Sequence, residues 1–321
     1  MEKLNLIAVV LGLIIIVGII SAIFFYYGRN SNNSITSTEV NQKLRIVSLA
    51  PSDTQILISL GLGKYIVGID YYSYQLLKYL NMTSLLPKNV TVFSQITPPN
   101  VSGLLLLHPT VVVVEKGLIG NYVSELQSAG INVFLTNNDF ASSFSQIEYC
   151  ITKLGEYFNQ TQKANKIINW MNEKVSNFSS SGNVTVGYLL WICPNLDFYT
   201  AGGNVFISSI ITLAGGVNVF ANYSGYPLLS ADKLIVSKPS IIIAQEEYNL
   251  SYTNYLISQY PYINKSNVYI MGNFATSLFN EPGPLSVYSI EIIHMIITGS
   301  APKYINYSWV MAHLNVTLPV Y

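Results

Sequence analysis

Asn159-Gln-Thr-Gln-Lys-Ala-Asn-Lys-Ile-Ile-Asn-Trp-Met-Asn-Glu-Lys-Val-Ser-Asn-Phe-Ser179 places Ala164, Ile167, Ile168, Met171, Val175 and Phe178 at the i, i+3, i+4, i+7 spacing of a helix with one buried stripe. Neither Gly nor Pro interrupts the run, so the spacing predicts one continuous helix. At about 1.5 Å per residue, some twenty residues span roughly 30 Å, about the width of a small domain. On both sides, short β-branched runs alternate with helical ones. The stretch therefore reads as a strut between two α/β lobes, and the function is expected where those lobes face each other.

Bulk composition narrows the function classes. Sixteen basic and sixteen acidic residues cancel, leaving no basic field to attract nucleic acid. Only 10% of the 321 residues are charged, against about 25% in typical domains. Ser, Thr, Asn and the 24 Tyr must supply the polar surface instead, and such a surface suits an acidic exterior. Cys150 and Cys193 form no CxxC pair and no metal-ligand spacing, which leaves two free thiols or one incidental disulfide.

Leu4 to Tyr27 carries no charge and, at about 24 residues, is long enough to cross a bilayer as a helix. Its length favours an uncleaved anchor over a signal peptide. Lys3 would stay inside while the remainder is exported. Twelve Asn-x-Ser/Thr sites, at Asn32, Asn81, Asn89, Asn100, Asn159, Asn177, Asn183, Asn222, Asn249, Asn264, Asn306 and Asn315, agree with export and predict a glycoprotein. Arg29 to Lys43 lacks apolar periodicity and reads as a tether. The resulting domains are an anchor (1–28), a linker (29–43), a first lobe (44–158), the connecting helix (159–180) and a second lobe (181–321).

Within the first lobe, strand Arg45 to Ala50 precedes a capping box, Ser52-Asp-Thr-Gln55, that should launch a helix to Leu62. Val111 to Glu115 is wholly apolar until its last residue and reads as a doubly covered strand. In the second lobe, strands are expected at Val184 to Leu190, Ile241 to Gln245 and Val268 to Met271, with a turn over Phe198 to Gly203. Alternation of this kind implies mainly parallel sheets with crossover helices. Ligands of open parallel sheets sit outside the carboxyl ends of the strands. The residues just after each strand are Pro51 and Ser52; Asp70, Tyr71 and Tyr72; Glu115 and Lys116; Trp191; Phe198 and Tyr199; Glu246, Glu247 and Tyr248; and Asn273 and Phe274. The set is aromatic with a few charges, which suits a small-molecule cleft.

Catalysis finds little support. The three histidines, His108, His294 and His313, stand apart, and no HExxH, GxSxG or phosphate loop occurs. Each is expected to be structural or solvated. Glu246 and Glu247 are adjacent on an extended chain and point to opposite faces, so they read as a solvated rim and not an acid/base pair.

Five further stretches bring a family into view. Arg45-Ile-Val-Ser-Leu-Ala-Pro-Ser-Asp-Thr-Gln-Ile-Leu-Ile-Ser-Leu-Gly-Leu-Gly63 with Ile66-Val-Gly-Ile-Asp70 closely resembles the opening of the substrate-binding proteins of ABC importers for cobalamin and iron chelates. Leu104-Leu-Leu-Leu-His-Pro109, Ala201-Gly-Gly203 with Leu213-Ala-Gly-Gly-Val-Asn218, Leu229-Ser-Ala-Asp-Lys-Leu234 and Pro282-Gly-Pro284 continue the match in order over about residues 44 to 300. The resemblance implies two lobes joined by one long helix and a metal chelate (cobalamin, ferric siderophore or haem) held between them. It also implies a monomer without enzymatic activity or cofactor that delivers its ligand to a permease and ATPase. The family docks through an acidic residue on each lobe; Asp232 occupies that place in the second, whereas Ser102 occupies it in the first. A cell-surface receptor or adhesion protein on the same scaffold is the competing class.

Overall fold

A computed structural model describes residues 43–178 and 182–321. The Leu4 to Tyr27 segment, nearly all of the tether, Asn32 and Ser179 lie outside them. Among the described residues no helix is long and apolar enough to cross a membrane.

The first half of the described chain runs β1 (Ile46–Ser48), α1 (Pro51–Ser59), β2 (Ile66–Asp70), α2 (Tyr71–Tyr79), β3 (Thr91–Phe93), α3 (Val101–Leu106), β4 (Val111–Glu115), α4 (Lys116–Ile119), α5 (Val123–Ser128) and β5 (Val133–Thr136). Its strands form one parallel sheet in the order β3-β2-β1-β4-β5. Every residue of β4 is buried, as its unbroken valine run requires of a strand covered on both faces. The capping box does not form. Pro51 occupies the first turn of α1, where its missing N–H costs nothing, and Ala50 is the cap residue with no side-chain bond. Ser52 and Gln55 are thereby free to bond elsewhere.

Two helices follow, α6 (Phe144–Tyr157) and α7 (Thr161–Ser176). At 16 residues α7 is shorter than the sequence pattern suggests, about 24 Å long. Asn159 in the left-handed region (φ 55°) separates it from α6, and Asn177 caps its end. Ala164, Ile167 and Met171 form its buried face. The two helices meet where α6 has no side chain: a Cβ on Gly155 would lie 2.5 Å from the Ala164 Cβ. Every strand of the first sheet precedes α7 and every strand of the second follows it.

The second half comprises β6 (Val184–Ile192), β7 (Phe198–Thr200), α8 (Phe206–Leu213), β8 (Gly216–Asn218), β9 (Leu228–Leu229), α9 (Ala231–Ser237), β10 (Ile241–Gln245), α10 (Leu250–Gln259), β11 (Val268–Met271), α11 (Asn273–Asn280), α12 (Val287–Ile297), β12 (Tyr304–Ile305) and α13 (Tyr307–Leu314). Its sheet has the order β12-β11-β10-β6-β7-β9, with β8 also on β6, and only the β7 pairings are antiparallel. The expected turn at Phe198 is thus a strand. Phe198 and Thr200 point into the core while Tyr199 faces out, and the reversal is made just before it, where Cys193 N donates to Asp197 O at 2.7 Å. Cys150 is buried, Cys193 half-buried, and the two do not pair.

One hydrophobic core passes through both halves, with a satellite cluster in each. The seam between them is well furnished. Tyr79 of α2, Phe274 of α11 and Tyr307 of α13 meet with ring centroids 5.2–5.3 Å apart. The Tyr307 hydroxyl donates to Tyr79 O at 2.8 Å, Leu285 N donates to Gln55 Oε1 at 3.0 Å, and the Tyr321 amide donates to Ser59 O at 3.1 Å. His294 sits 3.3 Å from Ala214 O, and His313 stacks on Trp309.

Gly155→Ala tests the α6–α7 contact. In an open helix this change stabilises by about 1 kcal/mol; here the clash with Ala164 should reverse the sign and destabilise by about 1–3 kcal/mol. Thermal denaturation would register a lower midpoint, and a raised one would contradict the close approach.

Candidate functional site

Strand β2 runs directly into α2 at Asp70, and β11 runs through Gly272 into α11, so two helices begin at the carboxyl ends of strands from opposite halves. Asp70 caps α2, accepting from Ser73 N at 3.0 Å and from the Ser73 hydroxyl. Between α2 and α11 lies a hollow of about 450 Å³, within the range of small-molecule sites. Tyr71, Tyr72, Gln75 and Tyr79 line one wall; Asn273, Thr276, Ser277, Asn280 and Glu281 line the other. Tyr71 and Tyr72 are 48% and 62% exposed and stand edge to face at 5.7 Å, presenting ring surface and hydroxyls to the space.

Behind this hollow is a buried acidic network. Ser52 Oγ donates to Glu115 Oε1. Asp53 accepts from Thr136 Oγ1 at 3.0 Å and from Asn138 Nδ2 at 3.1 Å. Burial pushes the Asp53 carboxyl well up, and Glu115 nearby pushes it further. Burial raises Glu115 to about 7 against the pull of the Ser52 hydrogen bond, and raises Asp70 as well. No group of His, Cys, Asp and Glu among the described residues is arranged to hold a metal ion.

The remaining expected site residues fall into separate places. Lys116 lines a different hollow, of about 470 Å³, with Thr97, Leu118, Tyr122 and Phe140. Trp191 and Tyr248 stand edge to face at 5.6 Å, Tyr248 meets Tyr252 at 5.6 Å, and Tyr199 sits opposite Trp191 in the β6–β7 ladder. Phe198 and Phe274 are corrected: both are buried, Phe198 against Phe220 and Phe274 in the seam, so neither offers a ring to a ligand. Ser52 and Asp70 are closed off in the same way, and Pro51 is half-buried at the start of α1. Glu247 is likewise no solvated rim. It is 1% exposed, accepts from Ile192 N at 2.6 Å, and burial raises it to about 7. Its neighbour Glu246 accepts from the Tyr304 hydroxyl at 2.9 Å. Ser102 and Asp232 are exposed in the first turns of α3 and α9.

Gln75, Tyr79, Thr276, Ser277, Asn280 and Glu281 are additions to the sequence-based set. The missing step is α11: Phe274, Ala275, Leu278 and Phe279 are its buried residues, and their helical spacing carried the signal.

With this geometry in hand, comparison with known proteins identifies the class. Residues 46–255 match the periplasmic binding protein family, and the chain belongs to it. It is 27% identical over 231 residues to the uncharacterized ABC transporter substrate-binding lipoprotein YvrC of Bacillus subtilis, covering 67% of each chain. It is 26% identical to a cobalamin-binding protein of Halobacterium salinarum, covering 79% of this chain and 69% of the relative. A periplasmic heme binding protein from Pseudomonas aeruginosa has the same fold, with a TM-score of 0.66 at 17% identity, over 80% of this chain and 94% of that one. Members of the family bind solutes and are not enzymes.

The raised Glu115 has a consequence for stability. Its carboxyl holds a proton more tightly in the folded chain, at about 7, than in the unfolded one, at 4.5. Between those values the folded state binds more protons at this site, so the Glu115 contribution to stability is greatest below about pH 4.5, falls as pH rises toward 7 and then levels. Glu115→Gln, which mimics the protonated acid and can still accept from Ser52, should flatten that fall and stabilise by ~3 kcal/mol at pH 8 while changing little at pH 4. Denaturant titrations at the two pH values measure the difference.

Proposed function

We propose that this protein captures a bulky metal chelate outside the cell and hands it to an ABC importer. The observation that carries the reading is the hollow between α2 and α11, where strand ends from both halves bring together tyrosine rings and side-chain amides. Flat rings offer contact area to a macrocycle or planar chelate, and a few polar groups fix its orientation. The relatives add support, since a cobalamin-binding protein and an ABC transporter substrate-binding lipoprotein are among them.

In this reading residues 44–158 and 181–321 are the two ligand-binding lobes, and the 159–180 segment is the connection that limits their motion. The shared core and the bonded seam favour a site that opens little. Leu4 to Tyr27 anchors the chain, and the binding region acts as a monomer at the outer surface. Of the eleven sequon asparagines among the described residues, ten are exposed and Asn306 is half-buried, which leaves them accessible to glycosylation. Asp232 docks the second lobe on the permease, and the surface around Ser102 docks the first without an ion pair.

Titration of the full-length protein with cobalamin, ferric siderophores and haem should find micromolar or tighter binding to at least one; no binding to any would remove the chelate. Asp232→Ala should leave chelate affinity unchanged while lowering stimulation of the transporter's ATPase about tenfold, as loss of a charged contact worth ~1.4 kcal/mol would. Undiminished stimulation would reject the docking role.

A further inference from the structure

The hollow between α2 and α11 has a single charged lining group among the described residues, Glu281. Its Oε2 is buried and has no hydrogen-bond partner. A buried carboxyl oxygen left without a partner is costly, and a guest that supplies one recovers that cost. The backbone on either side of Glu281 is held in place. The Glu281 amide donates to Ser277 O at 3.2 Å, and its carbonyl accepts from Ser286 Oγ at 3.3 Å. Two residues on, Gly283 lies so close to α1 that a Cβ there would be 2.6 Å from Gln55 Oε1.

The surroundings are as one-sided as the lining. Burial first, and then the neighbouring Asp70 and Glu115 carboxyls, push the Glu281 carboxyl well above its usual range, so the free cleft favours its protonated form and a guest that brings an N–H donor or a positive charge stabilises the ionised one. No guanidinium balances these carboxyls. The chain has two arginines; Arg29 lies outside the described residues, and Arg45 is at the amino end of β1, where its Nε donates to Leu107 O at 2.8 Å. Lys116 lines the other hollow. An anionic guest would therefore be buried with no cation to pair with it and carboxyl groups nearby, an arrangement that disfavours binding strongly.

We propose that Glu281 sets the specificity of the cleft by accepting a hydrogen bond from an N–H group or a positive charge on the guest. The cleft then takes uncharged or cationic chelates with peripheral amides or ammonium groups, and rejects polyanionic ones such as carboxylate-bearing macrocycles and iron tris-catecholates. This rests on the reading of the cleft as the chelate site.

The test is titration of the full-length protein at pH 7.5 with cyanocobalamin (uncharged and rich in amides), haem (two carboxylates) and a ferric tris-catecholate (a trianion). Cyanocobalamin should bind at least a hundredfold more tightly than either anion. In Glu281→Gln, which can turn an N–H toward the guest, the ratio should narrow about tenfold, with a thermal midpoint no lower than that of the unaltered protein showing that the fold is intact. Equal or tighter binding of an anion overturns the selectivity but leaves chelate capture standing, as does an unchanged ratio in the variant. Binding of none of the three removes chelate capture and this inference with it.

Discussion

The hydrogen bond from the Leu285 amide to Gln55 Oε1 ties the two halves together across 230 residues of chain. Both partners are buried, so leaving either unpaired would carry the full desolvation cost of a polar group. It forms because Pro51 starts α1 without a side-chain cap, which leaves Gln55 free to reach across the seam. Gly283 permits the approach by having no Cβ. The position of Glu281, and with it the back of the hollow between α2 and α11, follows from that contact.

The acidic interior is the second constraint. Asp53, Asp70 and Glu115 stand behind the cleft on or beside the ends of β1, β2 and β4, held by Thr136, Asn138, Ser73 and Ser52. Burial raises all three carboxyls, so the neutral form is favoured and the network is easiest to maintain where protons are abundant. A surface built from Ser, Thr, Asn and Tyr keeps much the same charge in acid. Interior and exterior thus favour the same conditions for independent reasons.

Much of the framework was legible from pattern. The valine run at Val111 could only be a strand covered on both faces, and β2, β10 and β11 fall where their β-branched residues place them. Legibility failed where long-range partners redirected a local signal. Ser52 and Gln55 match a capping box, yet Glu115 and Leu285 claim their side chains. Phe198 to Gly203 has the glycines of a turn, yet β6 and β9 recruit its first residues as a strand. Glu247 reads as a rim residue by charge alone, but the Ile192 amide draws it inward.

The cleft divides along the same line. Sequence by itself determined that strands and helices alternate in two sets on either side of a helix within Asn159 to Ser179, and that Tyr71, Tyr72 and Asn273 follow strand ends, where the structure has them line one hollow. Those features depend on spacing along the chain, because side-chain periodicity and strand polarity are local properties. Only the tertiary structure decided that Phe198 and Phe274 belong to the core, that Lys116 lines a separate hollow, and that Glu281 is the charged group at the cleft. Those facts depend on which surfaces meet at the seam between the halves, and residues more than two hundred positions apart leave no periodic trace of meeting.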